Sequence, residues 1–197
     1  MDRALHLFGL LAASAVAGAL ASCSDPVHDT QVSALPPEAA GVPQGEFHRA
    51  GQPCTVCHGS EGPAKKQFAL AGTVFWQPAA QSKVGVDQAV VSVVDSYGSQ
   101  IQVTTNCVGN FWITPGTFNP AFPILVTVSK DGTKYQQAMF TQIGRASSCA
   151  ECHKEPSANY NSTGQIYLTT GAYPVDEVPT TCPVDPVATD NPYGGQF

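Results

Sequence analysis

Charge is scarce in this chain. Its 197 residues include 9 Lys and Arg and 15 Asp and Glu, 12% in all, about half the usual one-quarter of a soluble protein. The balance of −6 offers no basic stripe and so excludes the electrostatic footprint of nucleic-acid binding. With 43% apolar residues, a solvated disordered chain is excluded too. Methionine is nearly absent, at two residues. Beyond residue 21 no apolar run approaches the roughly 18 residues of a membrane helix, and no stretch holds a sustained helical period. At roughly 100–200 residues per domain, the length allows one ordinary domain with arms, or two very small ones. Seven cysteines are too few for a disulfide-dense mini-protein, and an odd count leaves at least one with a different job.

The N-terminus reads as an address. Arg3 precedes fifteen uncharged residues, Leu7 to Ala21, which have the length and Ala/Gly content of a secretory h-region. Leu20-Ala21-Ser22-Cys23 resembles the bacterial lipoprotein lipobox. That resemblance implies cleavage after residue 22 and a lipid on Cys23; ordinary secretion with Cys23 free is the alternative. Ser24 follows the cysteine, which in the same pattern implies the outer membrane, facing the periplasm or the cell surface. Export into an oxidising compartment permits disulfides.

Composition then divides the rest. Residues 23–46 hold four prolines and little periodicity, so they are expected to form a tether. Residues 47–66 and 144–171 each hold a Cys/His cluster, and 172–197 form a proline-rich tail. Between them, 67–143 alternate β-branched or aromatic residues with polar ones. Strands are expected at Phe68–Trp76, Ala89–Ser96, Gln100–Thr105, Asn110–Ile113, Pro123–Ser129 and Tyr135–Thr141. Asp131-Gly132 marks a hairpin between the last two. The fold class expected is mainly β: an Ig-like β-sandwich flanked by two irregular arms that hold the Cys/His clusters.

The chemistry is concentrated in a motif that occurs twice, Cys54-Thr55-Val56-Cys57-His58 and Cys149-Ala150-Glu151-Cys152-His153. In C-x-x-C-H, two thiols three residues apart can add to the two vinyl groups of a haem, and the next histidine reaches the iron. A zinc site from Cys54, Cys57, Cys149 and Cys152 would need ligand pairs about ninety residues apart, far more than structural zinc sites use, and would leave both histidines without a role. A thioredoxin-like dithiol needs a βαβ context that is missing. Disulfides of three-residue spacing would be strained. Two motifs on an exported chain therefore point to two c-type haems, with His58 and His153 as proximal ligands.

Four histidines remain after residue 22, so His48 and His28 are the candidates for the distal positions. His48 lies within the first cluster and His28 in the tether. Met139 reads better as core packing. Cys107 and Cys182 are left over and are candidates for a disulfide pinning the tail to the sandwich; two buried thiols are the alternative. Lys65-Lys66 could face an acidic redox partner, and a solvated pair is the default.

Two resemblances follow from these residues. The paired C-x-x-C-H motifs resemble the small dihaem c-type cytochromes. That likeness implies an electron carrier serving redox partner proteins, held to the membrane by its lipid, with self-assembly or a cytochrome complex as further options. The alternative is a haem enzyme or sensor, peroxidase-like or gas-binding, with one open iron. The segment from Ala71-Gly72-Thr73-Val74 through Ala89-Val90-Val91-Ser92-Val93 and Thr105–Ile113 to Leu125-Val126-Thr127-Val128-Ser129-Lys130-Asp131-Gly132 resembles the carboxypeptidase regulatory-like, prealbumin-type sandwich. That family is a structural and binding module and implies no catalysis.

Overall fold

Six short segments alternate apolar and polar residues, and all six are strands. In the computed structural model, which describes residues 25–38, 42, 44–78, 84–154, 162–179 and 182, these are β1 (Leu70–Thr73), β2 (Val90–Val94), β3 (Gln100–Thr104), β4 (Asn110–Ile113), β5 (Leu125–Lys130) and β6 (Tyr135–Ala138). Every pairing is antiparallel. They form a two-stranded sheet, β1-β4, and a four-stranded sheet in the order β3-β2-β5-β6, so the protein is a mainly β sandwich. The signal segment, Cys23 and residues 183–197 lie outside the described residues.

Period-two alternation decides which side chains enter the core. In the larger sheet Val91 and Val93 on β2 face inward beside Val126 and Val128 on β5. In the smaller sheet Leu70 pairs with Ile113 and Gly72 with Phe111, and these meet the valines in one core with Trp76, Val86 and Ile124. Tyr135 packs edge-on against Trp76, and Tyr173 from the C-terminal arm stacks on it at 5.9 Å. Asp131 and Gly132 adopt φ of 54° and 68° in the β5–β6 turn, the left-handed conformation that Asp and Gly tolerate best. Asp95 turns β2 into β3 by accepting the N–H groups of Tyr97 and Ser99.

The opposite face of the small sheet carries the site. Ala71 pairs with Trp112 and Thr73 with Asn110, so these side chains point away from the core. The segment before β1 lies against Thr73 and Asn110, and the second Cys/His arm runs beside β1 through a bridge from Ser148 to Ala71.

The chain divides into two units, one ending at Ala34 and one starting at Leu35. In the first, part of the segment read as a tether is a helix, α1 (Pro26–Ser33). Asp25 caps it by accepting the Val27 and His28 N–H groups, and Pro26 sits in its first turn, the arrangement a helix start favours. Its length, eight residues, and its lack of an apolar stripe hide it from a periodicity argument. No helix among the described residues is long and apolar enough to cross a membrane.

Candidate haem-attachment site

The first motif is itself a short helix, α2 (Cys54–His58), which starts after Pro53 and ends at Gly59. The chain then folds back so tightly that a Cβ on Gly62 would lie 2.1 Å from the Cys57 carbonyl oxygen. This reversal brings Lys66 beside the motif: its carbonyl accepts the Nδ1–H of His58 at 2.7 Å. Fixing Nδ1 as the donor leaves Nε2 with a free lone pair, the state an imidazole needs to bind a metal. Phe68 stacks on His58 with ring centroids 4.2 Å apart, and Trp112 follows at 5.9 Å from Phe68. Lys66 lies over Trp112, its Nζ 4.5 Å from the ring.

Cys54, Cys57 and His58 line one cleft of about 230 Å³ together with His48, Phe68 and Trp112. Both cysteines, His58 and an aromatic wall therefore line one cleft, which is the set of residue types and the apolar setting that a covalently held haem takes. Burial pushes the Cys54 thiol up to about 11 and raises that of Cys57. Neither thiol is poised as a free nucleophile of the redox-enzyme kind.

His48 lies across the cleft from His58, with ring centroids 5.9 Å apart and planes within 22°. The loop that carries it is tied to the back of the small sheet. Buried Thr73 donates its hydroxyl to Asn110 Oδ1 at 2.8 Å and accepts the Gly51 N–H at 2.8 Å. Asn110 Nδ2 in turn donates to the carbonyls of Glu46 and His48, at 3.3 and 3.0 Å. Arg49 has φ 52°; its guanidinium donates to Gln52 and to the Pro36 carbonyl and pairs with Glu38 at 3.4 Å. The Gly45 N–H donates to His48 Nδ1 at 3.1 Å, which leaves the proton of the neutral ring on Nε2. Desolvation by burial is the main cause that holds His48 below the usual histidine range.

The second motif forms a 3-10 turn, Cys149–Glu151, followed by Cys152 and His153. Its histidine shares the backbone contact of the first: Gly164 accepts the His153 Nδ1–H at 2.9 Å, with the Thr163 hydroxyl also 3.0 Å from Nδ1. Burial lowers the His153 pKa, with the Gly164 carbonyl opposing that shift. Cys149 is buried against β1, where a Cβ on Gly72 would come within 2.8 Å of its Sγ, and Cys152 is exposed. Burial pushes the Cys149 thiol up to about 12, with a further push from Cys54 nearby.

The two motifs, far apart in sequence, touch. Ser147 Oγ donates to Thr55 Oγ1 at 3.2 Å, and Thr55 Oγ1 donates to a Glu151 carboxylate oxygen at 3.5 Å. Among the described residues no three His, Cys, Asp or Glu side chains converge as a metal-holding group. The four thiols are therefore not arranged as a zinc centre.

Of the other residues singled out from sequence, His28 is on α1 in the first unit. Met139 follows β6 and packs, partly buried, on the sandwich core. Cys107 and Cys182 are joined by a disulfide with Cα atoms 5.8 Å apart, which ties the C-terminal arm to the β3–β4 connection. Thr73, Asn110, Phe68 and Trp112 are site residues that motif reading passes over. Their only signal is two polar groups and two aromatics at the outward positions of strand-like segments.

Compared with known proteins, the chain matches no family model, no curated protein and no solved structure.

Proposed function

We propose that the protein is an exported, lipid-anchored dihaem c-type cytochrome that carries electrons between redox partners. The observation that carries this reading is the matched setting of His58 and His153. Each sits at the end of a C-x-x-C-H turn and gives Nδ1–H to a downstream carbonyl, which leaves Nε2 as the unprotonated nitrogen of the neutral ring. Cys54 and Cys57 would hold one haem and Cys149 and Cys152 the other; bound haem supplies an iron that takes up and returns one electron. Phe68 and Trp112 give the first site an apolar wall that limits water, which raises the effect of every nearby charge on the iron. Lipid on Cys23 would keep the carrier at the cell envelope, and the sandwich would serve as the rigid body that holds both arms.

The role of His48 separates carrier from enzyme. Its position opposite His58 suits a six-coordinate iron, and the guanidinium of Arg49 is engaged elsewhere, unavailable as a distal acid. Against this, the Gly45 bond to His48 Nδ1 favours a second reading, in which His48 donates a hydrogen bond from Nε2 into an open, gas- or peroxide-binding site. Spectroscopy of the purified protein tests both. The carrier reading expects colour that survives acidified solvent extraction and ferric haems that are all low-spin. A high-spin signal lost from one haem on adding cyanide supports the open site, and colour that extracts completely contradicts both.

A further inference from the structure

We infer that the two C-x-x-C-H motifs form one paired centre on β1, so that haems held by them interact directly instead of acting as separate sites. This rests on the dihaem reading above.

Both arms are fastened to the same strand. The His58 carbonyl accepts the Phe68 N–H at 2.8 Å, two residues before β1 begins. From the other side, the Ser147 carbonyl accepts the Ala71 N–H at 3.0 Å, and Ser148 bridges Ala71 in parallel. The second arm rejoins the same segment beyond the motif. Phe75 donates to the Ile166 carbonyl at 2.9 Å and accepts from Leu168 at 3.1 Å. The described residues on both sides of the second motif are thus pinned to one extended segment.

The motifs also meet laterally. Thr55, inside the first, lies between Ser147, two residues before the second, and Glu151, inside it. Gly72 lets Cys149 seat closely on β1, where its packing leaves no room for a side chain. Two features therefore bring the motifs together: the extended segment to which both arms are fastened and the polar junction at Thr55.

Two chromophores held side by side in a fixed orientation mix their strong transitions. An electron added to one iron also disfavours the next addition through charge repulsion, most strongly where water is excluded. Circular dichroism of the Soret band in the holoprotein, after its mass shows two haems, should therefore give a two-signed couplet. The single-haem variants C54S/C57S and C149S/C152S should each lose it, and their summed spectra should fail to reproduce the parent. A parent spectrum equal to that sum overturns the inference while leaving the dihaem reading intact. If a variant does not accumulate, electron paramagnetic resonance of the parent decides. Signals broadened in the fully ferric protein that sharpen at half reduction support pairing, and two independent signals at every stage overturn it. A mass below two haems removes the dihaem reading and the pairing with it.

Discussion

Asn110→Ala is the most informative perturbation of the framework, because one side chain ties both strands of the small sheet to the loop that carries His48. Asn110 is 7% exposed and Thr73 5%. The substitution removes three hydrogen bonds, one from Thr73 and two to the carbonyls of Glu46 and His48. At a net ~1 kcal/mol each, the loss is ~3 kcal/mol. In a chain of this size that lowers Tm by about 6–12 °C. The Thr73 hydroxyl and the His48 carbonyl lose those partners, so part of the loss is local and frees residues 45–51. Denaturant unfolding of Asn110→Ala, Thr73→Val and the double variant should show coupling of ~1 kcal/mol between the two positions. In the C149S/C152S background, where only the first haem remains, the same variants should alter its spectrum. Additive stability losses with that spectrum intact would refute the view that this pair holds the His48 loop.

Other predictions follow from single contacts. Gly72→Ala places a methyl 2.8 Å from Cys149 Sγ and 3.0 Å from Phe111; overpacking of ~1–3 kcal/mol should follow, with haem loss confined to the Cys149–Cys152 motif in peptide mass mapping. Replacing both Cys107 and Cys182 by Ser opens a loop with a sequence separation of 75 and should cost about 4 kcal/mol by the chain-entropy estimate; thermal melts with and without reductant check this, and equal melts would contradict it. The pH dependence concerns the haem-free chain. Burial holds His48 and His153 below 6.5, so the unfolded chain takes up protons first as pH falls through that value. Stability should therefore be lost on going from pH 7 to pH 5, and His48→Gln with His153→Gln should flatten the slope in urea titrations.

Much of the sandwich was legible from local pattern. Val91/Val93, Val126/Val128 and Phe111/Ile113 repeat every second residue, and that period alone assigns a strand and its buried face. Expected strands ran longer than observed ones, as with Phe68–Trp76 against Leu70–Thr73, because alternation continues into residues that pair only through isolated bridges, such as Phe75 with Tyr167. The helix α1 was not legible: its signal is a cap, Asp25-Pro26, and a cap without an apolar stripe also fits a turn.

At the site, C-x-x-C-H names the residues and says nothing of their neighbours. The contact of Thr55 with Ser147 and Glu151 spans more than ninety positions, and nothing local in either motif encodes it. It arises because the second arm is fastened to β1 and the first to Phe68 just before it. The Thr73–Asn110 tie was visible only as polar residues within strand-like runs. Which face they occupy depends on the register of β1 with β4, and register is a property of the folded pair.

The central claim is that each motif holds a haem covalently, and the intact mass of the processed protein tests it most directly. Protein produced with a c-type haem maturation system should carry two haem groups beyond the polypeptide mass, one lost in C54S/C57S and the other in C149S/C152S. A mass equal to the processed polypeptide alone, with all four thiols open to alkylation, would contradict the account.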